Sequence, residues 1–171
     1  KLAYRDFKVT RRIIDSKSVT IEIFPSGVFY LRLSHFQQTT GTELRTKFDK
    51  IIKENSQTQW LAYLSHFSVH TPIQAKKKDI LKFESKAPGT LHNHVIMAAM
   101  IKAVDDGVGK IISVLEDLKI KERTVVIFYS DNGGYGPATS MSPLKGYKGT
   151  YYEGGIRVPF FVNWPKVVAA E

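Results

Sequence analysis

The chain has 171 residues, 43% of them hydrophobic, enough for one domain, or part of a larger one, with an apolar core. Lysine and arginine outnumber the acids 25 to 16, giving a net charge of +9 and a pI of about 9.6, so its surface suits polyanions: nucleic acid, sulfated or phosphorylated sugars, anionic membranes. The absence of cysteine excludes disulfides, thiolate metal sites and cysteine nucleophiles, and no run of about 18 uncharged apolar residues is present to span a membrane.

The first residues, Lys1–Asp6, lack the apolar core of a signal peptide; either none is needed or the natural N-terminus lies upstream. Val19, Ile21 and Ile23 alternate with Thr20 and Glu22, Pro25-Ser26-Gly27 marks a turn, and Val28–Leu33 alternates again. This pattern predicts a β-hairpin with a scaffold role. Thr40-Gly41-Thr42-Glu43 has the form of a capping box, with Thr40 as N-cap and Glu43 reaching back. Behind it Leu44, Phe48, Ile51 and Ile52 mark one face of an amphipathic helix ending near Asn55.

Trp60–Phe67 is a largely apolar predicted strand, closed by Ser68-Val69-His70-Thr71-Pro72, where proline stops regular structure. Residues 73–93 form a polar, lysine-rich connection with a short helix at Lys78–Glu84. Its tight run, Lys76-Lys77-Lys78, reads as a solvated helix start rather than a nucleic-acid patch, since no zinc-finger, RNA-recognition or helix-turn-helix signature accompanies it. A long helix is predicted from His94 to Leu118, with Ala98, Ile101, Val104, Val108, Ile111, Ile112, Leu115 and Leu118 as its apolar stripe. Asp105 and Asp106 project about 100° apart on it, which favours solvent or local salt bridges over a shared metal. A charged turn, Lys119–Arg123, leads to the next predicted strand, Thr124–Tyr129. The strand–helix–strand rhythm predicts an α/β fold, a mostly parallel sheet flanked by helices, with Trp60–Phe67 and Thr124–Tyr129 as parallel strands of one sheet.

Val125–Trp164 is the stretch that carries chemistry. In a parallel sheet, ligands bind beyond the carboxyl ends of the strands. His70 follows one such end, and Asp131-Asn132 follows another. A carboxylate and an amide carbonyl are hard oxygen donors suited to Ca²⁺ or Mg²⁺, and Gly133-Gly134 permits the tight turn that lets both reach one ion. By themselves these four residues equally describe a plain Asp-Asn-Gly turn. Lys148, between Tyr147 and Gly149, could stabilise an anion or a leaving oxygen, or be an ordinary exposed lysine. His70 could donate a proton or a hydrogen bond to an anion, or simply cap its strand. Lys145 and Glu153 are candidate outer partners.

Taken in series, Ser130-Asp131-Asn132-Gly133-Gly134, Pro143-Leu144-Lys145-Gly146-Tyr147-Lys148-Gly149-Thr150 and Tyr152-Glu153-Gly154-Gly155-Ile156-Arg157-Val158-Pro159 resemble the sulfatase family. Residues 61–74 and 98–131 resemble it in the same order and spacing, so the likeness covers roughly residues 41–171 and leaves residues 1–40 as a separate N-terminal segment. The resemblance implies an alkaline-phosphatase-like α/β fold and hydrolysis of sulfate esters with a divalent cation, usually Ca²⁺, with Mg²⁺ as the alternative. It implies metal binding by Asp131 and Asn132, and sulfate contact or leaving-group assistance by Lys148 and His70. The partner it implies is a sulfated small molecule or sulfated glycan, and the compartment periplasmic, secreted or lysosomal.

One departure is large. The family attacks with a formylglycine made from a cysteine or serine in a Cys/Ser-x-Pro-x-Arg motif, and this chain contains no such motif. The nearest approach, Met141-Ser142-Pro143-Leu144-Lys145, has methionine and lysine at the key places. The expectation is the second half of a sulfatase catalytic domain, a fragment inactive alone, whose partner is the missing part of that domain or a second copy. The alternatives are a nucleophile-less module that binds sulfated or phosphorylated ligands, and a phosphate-ester hydrolase of the same superfamily.

Overall fold

The computed structural model describes residues 19–26, 28–33, 40–55, 57 and 59–169. The predicted hairpin forms as β1 (Val19–Ile23) and β2 (Val28–Leu33), antiparallel with Val19 opposite Leu33. Helix α1 (Thr40–Asn55) follows, opening at Thr40 with Glu43 in its first turn. Strand β3 (Leu61–Ser65) then lies parallel to β2, with Leu61 opposite Val28, so the α1 crossover produces a three-stranded sheet in the order β1-β2-β3.

Two helices come next. Helix α2 (Lys77–Glu84) has no buried residue and packs on α3 (Val95–Asp117). Lys102 of α3 links them, its ammonium 3.7 Å from Asp79 of α2 and 2.5 Å from Asp106 one turn on. The hydrogen bond from Lys102 holds the Asp106 carboxyl below its ordinary range, and the same bond raises Lys102. The Asp106 side chain is 50% exposed, so solvent screens its pair with Lys102, which orients side chains more than it stabilises the fold. Asp106 thus makes a local salt bridge, and Asp105 is exposed to solvent.

The ends of α3 explain its length. At its start the His94 ring accepts the Met97 N–H at 3.3 Å. At its end Lys119 adopts φ 56°, the Lys119 N–H donates to Glu116 O and the Ile120 N–H to Leu115 O. That is a Schellman stop, and its customary apolar contact is present, since Ile120 and Leu115 are both buried in one cluster. The cluster unites Val19, Phe48, Ile52, Val114, Leu115 and Ile120, so hairpin, α1 and α3 share a core. Of the predicted stripe, Leu115 is buried and Ile111, Ile112 and Leu118 pack against this core. Ile101 is instead 53% exposed, because the N-terminal half of α3 buries Met97, Ala99 and Met100.

Strand β4 (Val126–Tyr129) departs from the predicted sheet. It pairs antiparallel with β5 (Phe160–Asn163), Val126 opposite Asn163 and Tyr129 opposite Phe160, in a separate two-stranded sheet. The helical rhythm that suggests a β3–β4 pair constrains where the chain returns, not which edge it meets. Among the described residues β2–β3 is the parallel pair, and the α/β class stands on it and on its helical crossover. Between β4 and β5 lies one further helical turn, α4 (Glu153–Ile156).

Candidate functional site

Residues 130–156 form one interlocked unit, joined through the backbone. The Gly133 N–H donates to Gly155 O at 2.9 Å, the Lys148 N–H to Gly134 O at 2.9 Å, and the Gly154 N–H to Lys145 O at 2.8 Å. Three separate sequence motifs, Asp-Asn-Gly-Gly, Lys-Gly-Tyr-Lys-Gly-Thr and Glu-Gly-Gly, are thereby held against one another. Glycine is required where they touch. A Cβ on Gly133 would fall 1.8 Å from Gly154 O, and one on Gly155 would fall 2.1 Å from Thr150 O. Gly146, at φ +84°, makes the turn that lets the lysine loop fold back. Thr150 closes that loop: its hydroxyl donates to Tyr147 O at 2.8 Å and accepts the Tyr147 N–H at 3.2 Å.

Asp131 lies exposed at the end of β4, and Asn132 beside it is half-buried. The Ser130 hydroxyl donates to the Asn132 backbone carbonyl at 3.0 Å, which fixes the turn, and among the described residues the Asn132 side-chain amide has no hydrogen-bond partner. Among the described residues the Asp131 carboxylate has no hydrogen-bond or ion-pair partner. An unpaired carboxylate beside an amide fits a hard cation in kind. The number is short: among the described residues no group of three or more histidines or acids lies close enough to hold a metal.

Lys148 is half-buried, and its position is set by the bond to Gly134. Lys145 and Glu153 turn elsewhere: the Lys145 ammonium sits 4.0 Å above the Tyr152 ring, and Glu153 faces Arg157 at 3.9 Å along α4. His70 is exposed beyond β3, its ring against Phe67 at 5.3 Å. Its Nδ1 lies 3.0 Å from Thr71 O. A carbonyl only accepts, so Nδ1 carries the proton in that bond, and Nε2 is the ring nitrogen left out of it. Among the described residues His70 bonds only within its own loop. The structure therefore brings Asp131, Asn132 and Lys148 onto one unit and leaves His70 on a separate loop after β3.

Sequence reasoning missed three supports of the unit and one histidine after β3. The Gly134 N–H donates to Met141 Sδ at 3.2 Å, and a Cβ on Gly134 would meet Thr139 Cγ2 at 2.4 Å. Thr139 Oγ1 is 3.3 Å from His92 Nδ1, tying the loop that precedes α3 to this unit across 47 positions. His66, half-buried beside α3, accepts the Ser68 N–H at 3.2 Å, and burial lowers its pKa from the ordinary histidine value. None of these has a sequence signature: the first three join separate loop positions, and the burial of His66 depends on where its loop packs. Among the described residues no helix is long and apolar enough to cross a membrane.

The Sulfatase family model matches residues 18–171. A "Sulfatase" of Formosa agariphila is 38% identical over 128 residues, covering 68% of this chain and 23% of that protein. The N-acetylgalactosamine-6-sulfatase of Canis lupus familiaris is 40% identical over 173 residues, covering 98% of this chain and 29% of that one. Among solved structures, Ps i-CgsB in complex with k-i-k-neocarrahexaose superposes with a TM-score of 0.65 at 33% identity, covering 77% of this chain and 29% of that one. The PsFucS1 sulfatase from Pseudoalteromonas sp. gives 0.59 at 28% identity, covering 77% and 26%. The chain thus spans less than a third of the length of these relatives.

Proposed function

The chain belongs to the sulfatase family, and from that premise we propose that it supplies the metal- and sulfate-binding part of a sulfate-ester hydrolase active site. The observation that carries the proposal is the backbone locking of Gly133 to Gly155 and Gly134 to Lys148, which sets the oxygen donors and the ammonium on one rigid unit. Asp131 and Asn132 are the residues that would hold Ca²⁺, or Mg²⁺ in its place. When bound, the cation would offset negative charge on the sulfate oxygens. Lys148 places its ammonium against the same anion, where a fixed cation is worth most as charge builds on the leaving oxygen. His70, with Nδ1 committed to Thr71, can act on the sulfate or the leaving group only through Nε2, which donates when that nitrogen also carries a proton.

The reacting nucleophile of this reading comes from residues outside the 171, since no Cys/Ser-x-Pro-x-Arg is present. The β4–β5 ribbon supports completion by further protein, because Ile127, Tyr129, Phe160 and Phe161 are each more than half exposed. A sulfated glycan is the substrate class favoured by the relatives, one named for N-acetylgalactosamine and one complexed with an oligosaccharide. A second reading, a binding module without turnover, rests on the missing motif alone.

The test is assay of the 171-residue chain, and of the longest natural polypeptide that contains it, on aryl sulfate and aryl phosphate with Ca²⁺. The expected result is no turnover by the chain and sulfate-selective turnover by the longer polypeptide, reduced about 10²- to 10³-fold in kcat by Lys148→Ala. Sulfate turnover by the chain alone refutes the need for an outside nucleophile. A longer polypeptide equally inactive on both esters points to the binding module.

A further inference from the structure

We infer that the lysine-rich segment of residues 73–93 is a rim that recruits a multiply sulfated glycan chain, rather than a small sulfate ester, to the site; this deepens the sulfate-site reading and rests on it. One end of the segment is tied to the Asp131–Lys148 unit: His92 meets Thr139, which packs on Gly134. The other end leaves His70-Thr71-Pro72 directly. What the segment carries on its surface therefore lies along the chain between His70 and that unit.

What it carries is positive charge. Lys76, Lys77, Lys78, Lys82 and Lys86 are all exposed. The acids Asp79 and Asp106 both meet Lys102, with Asp106 also attracting Lys82 and Lys110, and Glu84 is the remaining acid of the segment. Lys78 and Lys82 lie one turn apart on one face of α2, about 6 Å along its axis. Lys86 continues beyond the helix, its ammonium 5.2 Å from the Phe83 ring. A row of separate ammonium groups suits a polymer with repeated single charges better than one small anion.

The lysines also work against their own helix. Lys76 is the N-cap of α2 and makes no side-chain capping bond, and Lys77 and Lys78 occupy its first turn. Cations there oppose the helix dipole, and serine, threonine or an acid is the stabilising choice. A local rule broken without local gain points to a role outside the helix. Fixed positive charge beside a cleft raises the local concentration of an anionic substrate, an effect that salt screens within about 8 Å at physiological ionic strength.

The experiment uses the 171-residue chain and three probes: fluorescent dextran sulfate, unsulfated dextran, and inorganic sulfate. Lys77→Gln/Lys78→Gln/Lys82→Gln should bind dextran sulfate at least tenfold more weakly, with a flatter salt dependence and unchanged affinity for inorganic sulfate. The matching lysine-to-arginine triple should retain polymer binding, and unsulfated dextran should bind neither. Unchanged polymer affinity in the glutamine triple overturns the rim, as does duplex DNA binding as tightly as dextran sulfate. Lys148→Ala separates the two layers. Failure of that variant to weaken inorganic sulfate binding refutes the sulfate site itself, and the recruitment claim falls with it, whereas loss of sulfate binding alongside an indifferent glutamine triple refutes the rim alone.

Discussion

Replacing Gly133 by alanine should dismantle the site from its centre. The new methyl would lie 1.8 Å from Gly154 O, 2.8 Å from Gly154 C and 3.0 Å from Gly155 Cα. All three are backbone atoms, so no side-chain rotation relieves the clash, and one of the two loops must move. Overpacking of this kind costs about 1–3 kcal/mol. Separation of the loops also breaks the 2.9 Å bond from the Gly133 N–H to Gly155 O, a further loss of about 0.5–1.5 kcal/mol. The expected destabilisation is about 2–4 kcal/mol, a large share of the roughly 5–15 kcal/mol that holds a typical domain. Urea unfolding followed by circular dichroism reads that loss, and a Ca²⁺ titration reads the site. Gly149→Ala is the control: open space surrounds its Cβ, so its cost of about 1–2 kcal/mol comes from φ +89° alone. A Gly133→Ala protein within about 0.5 kcal/mol of the parent, with an unchanged titration, would refute the view that close packing of these loops builds the site.

Other outcomes follow from the same geometry. With Asp131 and Asn132 as its ligands, the chain should bind Ca²⁺ weakly, with Kd on the order of 10⁻³ M by calorimetry, and Asp131→Ala should abolish the heat; tight binding that survives the substitution assigns the metal elsewhere. Leu115→Ala, at a fully buried core position, should cost about 2–5 kcal/mol in urea melts, and a loss below about 1 kcal/mol would deny Leu115 its central place. The folded pKa of His66 lies below the ordinary 6.5, so the unfolded chain binds its proton more tightly. Stability is then full above pH 6.5 and declines as pH falls through 6.5 towards the folded value; His66→Gln should flatten that decline, and an unaltered profile contradicts it. Phe160→Lys or Phe161→Lys on the exposed ribbon should lower concentration-dependent association measured by sedimentation, and undiminished association would place the sticky surface elsewhere.

The hairpin, α1 and α3 were legible because each is written in local pattern. Alternation gives β1 and β2, spacing at Phe48, Ile51 and Ile52 gives α1, and the periodic stripe ending at Leu118 gives α3. Those patterns reflect the pitch of helix and strand, which any stretch of chain obeys without its neighbours. Ile101 escaped because α3 also packs on α2, so the buried face of its N-terminal half falls at Met97, Ala99 and Met100.

By itself the sequence determined the α/β class and the family, and it supplied the chemical kinds of the proposed site: hard oxygen donors at Asp131 and Asn132, ammonium at Lys148, imidazole at His70. Composition and motif carry that information because chemistry belongs to the residue. Only the tertiary structure decided which strands pair, placing β4 against β5 rather than β3, since edge choice depends on contacts made far along the chain. It alone decided that Gly133, Gly134, Gly154 and Gly155 serve as contact surfaces between loops, not merely as flexible turns. And it alone tied His92 to Thr139, because a hydrogen bond across 47 positions follows from where two loops arrive, which no local pattern records.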